Sequence, residues 1–195
     1  MVVSRTTSAL CGIAGPTAFV VAWLVGGLIT DGYDPLQQAI SQLAREGAPT
    51  RALMTTGLVA FGLLVPVWAL LLGRELRSTA VRTAVLVAGL ATLAVAALPL
   101  TREPGGTQDL LHAAAAATGY VAMAATPLLA AAPLRRAGHR SAAAASIAVG
   151  TLSAACLVGT VALGGIGGAL QRTGLTVVDA WHVVAAIWVL RRTPR

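Results

Sequence analysis

"ALCGIAGPTAFVVAWLVGGLI", residues 9–29, is an apolar stretch without a single charged side chain. Its length of about 20 residues matches the hydrocarbon thickness of a bilayer. Arg5 precedes it, as a basic residue precedes a signal sequence, but the stretch is too long for one and no small-residue cleavage site follows. It therefore predicts an uncleaved first transmembrane helix.

Five further stretches repeat this pattern, and small residues recur within them, which favours close helix packing. The chain is 56% hydrophobic and 11% charged, whereas a soluble domain is about one quarter charged. The sequence thus predicts a single all-α domain over residues 1–195, a polytopic membrane protein built as a bundle of six transmembrane helices. The predicted spans are 9–30, 52–73, 80–100, 110–132, 142–163 and 174–190.

The basic residues indicate the orientation, because all fourteen are arginines that lie between the apolar stretches. With the N-terminus inside, ten face the cytoplasm and four face the outside, which follows the positive-inside rule. We therefore expect a multi-pass protein of the cell membrane with both termini cytoplasmic, and no nucleic-acid partner. The ten are Arg5, Arg74, Arg77, Arg82, Arg135, Arg136, Arg140, Arg191, Arg192 and Arg195; the four are Arg45, Arg51, Arg102 and Arg172.

The first outer loop, "DGYDPLQQAISQLAREGAP" (31–49), carries a helix-start signal, with Asp34 directly before Pro35. Leu36, Ile40 and Leu43 then recur at i, i+4 and i+7. This spacing predicts a short amphipathic helix over residues 35–46 that lies at the outer interface. Two roles stay open for it: a lid over the mouth of the bundle, or an ordered connector packed on the helix ends.

Three segments together resemble the bacterial membrane family called domain of unknown function 998. They are "GIAGPTAF" in the first helix, the loop "DGYDPLQQAISQLAREGAP", and "GGALQRTGL" at the entry to the last helix. The resemblance covers nearly the whole chain and implies a compact integral membrane protein of six helices. It implies no particular reaction and therefore no catalytic residues.

Two D-x-x-H pairs carry the candidate chemistry. Asp109 and His112 lie at the outer boundary of the fourth span, and Asp179 and His182 lie inside the sixth. Ionisable groups in a span are costly and are expected to face the bundle interior with partners. Arg172 precedes Asp179 by seven residues, within about 20° on the helical wheel, and is the expected cation for it.

The opposite face of the last helix carries Trp181 and Trp188. We expect Trp181 to face lipid or a helix groove, and Trp188 to face lipid at the inner interface. Three interpretations of the polar face remain open: acid–base chemistry on a lipid-soluble substrate, a metal held by both D-x-x-H pairs, or hydrogen bonds that only join helices. The metal interpretation is the weakest, since no glutamate lies within a span to complete a di-iron set.

The leading hypothesis is a small membrane enzyme that performs acid–base chemistry (cyclisation, isomerisation or hydrolysis) on a lipid or isoprenoid substrate in an outer-facing polar vestibule. The alternative is a non-catalytic scaffold or accessory subunit, with a small transporter third. Ser41 would complete a Ser-His-Asp set with His112 and Asp109 if the fold brings them together. No metal site or cofactor is predicted; the expected partners are membrane lipids, and a homo-oligomer is left open. The candidate catalytic residues are Asp179, His182, Asp109 and His112, and the candidate substrate-binding residues are Arg172, Gln171, Tyr33 and Ser41.

Overall fold

The computed structural model describes residues 3–192, and within them it contains six long α-helices, one short 3-10 helix and no strand. Each long helix is long and apolar enough to cross a membrane. The predicted fold class, a six-helix membrane bundle, is confirmed. The helices are α1 (Arg5–Ile29), α2 (Arg51–Glu75), α3 (Thr79–Ala97), α4 (Thr107–Arg136), α5 (Arg140–Ala162) and α6 (Gly167–Arg191).

The helices form a closed ring, because each packs against the next in the chain and α6 packs against α1. Helix α4 also contacts α6 across the ring. We call the end with the turns 76–78 and 137–139 the inner face, and the end with the loops 30–50, 98–106 and 163–166 the outer face. The names follow the predicted orientation. The two ends carry the two cavities described below.

Helix α6 begins earlier than predicted, at Gly167 instead of residue 174. The added turns are held by the first outer loop, since the amide of Ala169 donates to the carbonyl oxygen of Leu36 at 2.9 Å. This tertiary contact outweighs the low helix propensity of two consecutive glycines. Asp179 becomes the thirteenth of the 25 residues of α6, near its middle.

The first outer loop contains a shorter helix than predicted, a 3-10 helix over Ile40–Ala44, which follows a turn at residues 35–38. The carboxylate of Asp34 accepts from the amide of Leu36 at 2.8 Å, as the predicted cap would, but the backbone is extended at Ala39 and ends the turn there. Ile40 and Leu43 are 4% and 1% exposed, whereas Leu36 is 58% exposed. The loop is therefore an ordered connector whose apolar residues pack on the helix ends.

Trp68 of α2 is the largest fully buried side chain in the described residues. Its indole lies against Gly12 of α1, where an added Cβ would be 2.6 Å from the indole Cδ2. A glycine at this position lets α1 approach α2 closely enough to enclose the indole. The contact puts the Trp68 ring in the interior of the bundle, where it reaches α6.

Candidate functional site

A cavity of about 90 Å³ lies under the 3-10 helix on the outer face, which we call the outer cavity. Its wall is mostly apolar, and Ala115, Ala116 and Gly119 of α4 line it with little or no side chain. The alanine tract of α4 thus leaves space next to the bundle axis. The polar residues of the wall are Ser41, Thr92, His112, Tyr120 and Gln171.

His112 is 3% exposed, and its Nδ1 lies 2.6 Å from the carbonyl oxygen of Leu98. A carbonyl only accepts, so Nδ1 carries the proton and donates it. In the neutral ring Nε2 is then an acceptor, and this atom is buried without a hydrogen-bond partner among residues 3–192. His112, a residue of the outer-cavity wall, thus has a buried imidazole nitrogen without a hydrogen-bond partner in residues 3–192.

Two residues of the outer-cavity wall carry donor groups, the amide of Gln171 and the hydroxyl of Tyr120. The side-chain oxygen of Gln171 accepts from the backbone amide of Ile40 at 2.8 Å, and its NH₂ group, which can donate, makes no hydrogen bond within residues 3–192. The hydroxyl of Tyr120 lies 3.4 Å from the carbonyl oxygens of Leu170 and Gln171, which is long for an O–H···O bond. Both side chains can donate to a group in the cavity.

Asp109 does not complete a triad with Ser41 and His112. Its carboxylate accepts from the amide of Thr101 at 2.9 Å, from the Thr101 hydroxyl at 3.0 Å, and from the amide of Gly105 at 2.9 Å. These bonds tie the loop 98–106 to the first turn of α4. The Leu98 carbonyl, and not a carboxylate, orients the imidazole.

Arg172 is 8% exposed but does not pair with Asp179, so the predicted ion pair is wrong. Its Nη2 donates to the hydroxyl of Tyr33, and its guanidinium lies 5.3 Å from the Tyr33 ring centroid. The helical wheel places Arg172 and Asp179 on one face, but the long Arg172 side chain extends toward the outer loop. Its Nη1 donates at 2.8–2.9 Å to the backbone carbonyls of Pro35, Gln38 and Gly168.

Asp179 and His182 are 2% and 0% exposed, so both face the protein interior as predicted. The indole Nε1 of Trp68 donates to His182 Nδ1 at 3.1 Å. Since an indole only donates, the neutral His182 carries its proton on Nε2. Neither that Nε2 nor either oxygen of Asp179 has a hydrogen-bond partner in the part of the chain that is described. Asp179 therefore lacks the partner expected for it, Arg172.

Trp68 is the residue that sequence reasoning missed. Transmembrane tryptophans concentrate at the two interfaces, whereas Trp68 lies well inside the predicted span 52–73. A buried indole N–H needs an acceptor, and a histidine inside another span is a suitable one. A tryptophan inside one span and a histidine inside another together indicate a contact such as that of Trp68 with His182.

A family model described as "Protein of unknown function (DUF998)" matches residues 13–188. The chain belongs to the DUF998 family. The resemblance drawn from the three quoted segments is thereby confirmed. No curated protein and no solved structure matches the chain.

The two D-x-x-H pairs of this DUF998 protein occupy separate places. His112 lines the outer cavity, whereas Asp179 and His182 do not. Within the described residues, no three His, Cys, Asp or Glu side chains form a group that could hold a metal ion. His112 shares the lining of the outer cavity with Ser41 and Gln171 instead.

The two tryptophans of α6, Trp181 and Trp188, each make a polar contact with a neighbouring side chain. Trp181 is half-buried, and its Nε1 donates to the Ser146 hydroxyl of α5 at 2.9 Å. Trp188 is also half-buried, and the guanidinium of Arg192 lies 3.9 Å from its ring centroid. In this DUF998 bundle Trp181 thus lies against α5, a helix groove being one of the two positions expected for it, and the Trp188 ring carries a cation–π contact.

Proposed function

We propose that this DUF998 protein is a membrane enzyme that cleaves a lipid ester at the outer cavity, with Ser41 as nucleophile and His112 as general base. The observation that carries the proposal is the buried Nε2 of His112, which has no hydrogen-bond partner within residues 3–192 and belongs to a residue that lines the outer cavity together with Ser41. Nucleophilic acyl chemistry requires a serine and an oriented imidazole at one site, and the outer cavity has both in its wall. No hydrogen bond joins Ser41 to His112 in the free protein, and such contacts often tighten only when substrate binds.

In the proposed reaction the Ser41 oxygen attacks the ester carbonyl carbon while His112 Nε2 takes the hydroxyl proton. The NH₂ group of Gln171 and the hydroxyl of Tyr120 donate to the oxyanion that forms. His112 then gives the proton to the leaving alkoxide, and an acyl group stays on Ser41. Water, deprotonated by His112, releases the acid and restores the serine. The Leu98 carbonyl stabilises the imidazolium through Nδ1–H.

The size of the outer cavity limits the substrate. Sites that enclose a drug-sized ligand measure about 300–1,000 Å³, and a cavity of about 150 Å³ holds benzene. At about 90 Å³, the outer cavity admits an ester group and a few carbon atoms. The remainder of a lipid would lie in the bilayer. The 3-10 helix that carries Ser41 lies in the loop between two spans, and such a loop is expected near the polar ends of lipids.

The proposal changes the roles first expected of several residues. Asp179 and His182 do not line the outer cavity, so in this mechanism they contribute to the packing of the bundle. Asp109 holds the loop 98–106, and Arg172 and Tyr33 hold the first outer loop. Of the predicted substrate-binding residues, Ser41 and Gln171 keep a role at the substrate.

A non-catalytic scaffold is the second candidate, and one observation favours it. The polar groups of Asp109, Arg172 and Tyr33 are all engaged in hydrogen bonds within the protein that fix the outer loops. A scaffold needs such rigidity and needs no nucleophile. In this case Ser41 is an ordinary hydroxyl at the edge of a small cavity.

Labelling of the purified protein with an alkyl fluorophosphonate separates the two candidates, because this reagent reacts with activated serines. We expect the reagent to add mass to Ser41 in the wild type and to add none in Ser41→Ala. The rate of labelling should be roughly 10²–10⁴-fold lower in His112→Gln. Ser153→Ala is the matched control, since Ser153 is a buried serine of α5 that does not line the outer cavity. A folded wild-type protein that takes up no label on Ser41 would favour the scaffold and contradict the enzyme.

A further inference from the structure

The inner face contains a much larger cavity, of about 1140 Å³, which we call the inner cavity. It lies between the inner ends of α1, α2, α4 and α6, and Trp188 and His139 form part of its wall. None of its lining residues is shared with the outer cavity. Six arginines line it: Arg5, Arg74, Arg77, Arg136, Arg191 and Arg192.

The charge of this lining is strongly unbalanced. Glu75 is its one carboxylate, and the Arg5 Nε pairs with the Glu75 Oε1 at 3.0 Å. This is the only ion pair within residues 3–192. Five guanidinium groups of the cavity thus have no carboxylate partner in the described residues. Guanidinium groups bind phosphate and carboxylate in bidentate geometry, so the lining is suited to a polyanion.

Part of this cluster is already oriented by the protein. The Arg192 guanidinium stacks on the Trp188 ring, and its Nη2 donates to the Nε2 of His139 at 2.8 Å. The Arg5 Nη1 donates to the backbone carbonyl of Arg192 at 2.7 Å. These contacts leave further N–H groups of both arginines free to donate. A site that is ordered in advance loses less conformational entropy when a ligand binds.

Arg77, one of the arginines of the lining, has an unusual backbone conformation. Arg77 has φ of 47°, and among the described residues it is the only residue other than glycine with a positive φ. Glycine or asparagine is the usual residue in this left-handed conformation, because a Cβ is disfavoured there. An arginine at such a turn costs stability, and such outliers cluster at functional sites.

We propose that the inner cavity binds a phosphate group of an anionic ligand, either the head group of a phospholipid or a soluble phosphate compound. Its volume exceeds the range of about 300–1,000 Å³ that is typical of ligand sites, so a ligand with two phosphate groups fits. The positive wall attracts such a ligand from both solution and the anionic membrane surface. This inference does not depend on the chemistry proposed for the outer cavity.

Binding is measured with two probes on the purified protein in a neutral detergent. Pyrophosphate represents a soluble ligand, and phosphatidylglycerol in mixed micelles represents a lipid, with sodium chloride at equal ionic strength and phosphatidylcholine as references. We expect a saturable rise in the unfolding temperature with at least one of the two anionic probes. Pyrophosphate binding assigns the site to a soluble ligand, and binding of phosphatidylglycerol alone assigns it to a membrane lipid.

Two variants test the cavity itself. Arg77→Gly removes a charge and relieves the backbone, so it folds at least as well, and Arg136→Gln removes a charge from the wall. We expect each to weaken binding roughly tenfold or more, as the loss of a charge-assisted hydrogen bond predicts. Arg135→Gln is the matched control, because Arg135 neighbours Arg136 on α4 but does not line the inner cavity. Equal weakening in Arg135→Gln, or no binding of either probe above its reference, would overturn the proposal.

Discussion

Asp109 and Asp179 hold the same place in the two D-x-x-H pairs, but their surroundings are opposite. The Asp109 carboxylate accepts hydrogen bonds from Thr101 and Gly105. The Asp179 carboxyl group is 2% exposed and has no hydrogen-bond partner within residues 3–192. A buried polar group without a partner costs free energy, whereas a well-bonded one stabilises. The same substitution at the two positions should therefore have effects of opposite sign.

We expect Asp179→Asn to keep or raise the thermal stability of the protein in detergent, by about 1 kcal/mol, because it removes a carboxyl group from the middle of a span. Asp109→Asn should lower the free energy of unfolding by about 1–3 kcal/mol, since it weakens the bonds to the loop 98–106. Thermal unfolding of both variants beside the wild type measures the difference. Because Arg172 keeps its carbonyl partners, Asp179→Asn leaves no cation newly unpaired. A large loss of stability in Asp179→Asn would mean that the Asp179 carboxyl group makes a stabilising contact, and would contradict the finding that it has no partner within residues 3–192.

Among the elements, the first outer loop is fastened to α6 by backbone and side-chain bonds. Gln171 accepts from the amide of Ile40, and the amide of Ala169 donates to Leu36. Arg172 adds three bonds to carbonyl oxygens and one to Tyr33. The loop therefore behaves as part of the bundle and holds Ser41 over the outer cavity.

Loss of the Arg172 guanidinium should loosen this loop. In Arg172→Gln we expect faster amide hydrogen exchange over residues 34–46, by roughly tenfold or more, since each bond to a charged donor contributes about 1.5–3 kcal/mol. Arg51→Gln is the control, because Arg51 is also an outer-face arginine but is exposed and makes no side-chain hydrogen bond within residues 3–192. If the amides of residues 34–46 exchange as slowly in Arg172→Gln as in the wild type, contacts other than those of Arg172 hold the loop.

For the whole molecule, the ring of six helices puts both ends of the helical region on the inner face, together with most of the arginines. Basic residues are retained on the cytoplasmic side during insertion. The inner face is therefore expected in the cytoplasm.

Reporter fusions test this orientation. Fusions after Arg77 and after Arg195 should both report the cytoplasm, and a fusion within the loop 31–50 should report the outside. The control is the same series with Arg77 and Arg82 changed to Gln, where weaker retention of the turn between α2 and α3 is expected. Opposite locations for the fusions after Arg77 and Arg195 would require an odd number of spans between them and would contradict the six-helix topology.

The amino-acid sequence by itself determined the six spans, the family, and the burial of Arg172, Asp179 and His182. Each of these follows from local properties. Apolar length sets a span, because the bilayer has a fixed thickness. The 100° advance per residue sets which side chains of one helix share a face. These rules hold whatever the helix packs against.

Only the tertiary structure decided which groups meet. Helical periodicity gives a residue its face but not its neighbour, which depends on the order, rotation and depth of all six helices together. Trp68 therefore became the partner of His182, and Arg172 turned to the carbonyls of the outer loop instead of Asp179. The contact of Ser41, His112 and Gln171 with one cavity has the same origin, since they come from a loop and two helices far apart in the chain. Long-range packing fixes such contacts, and no window of the sequence contains that information.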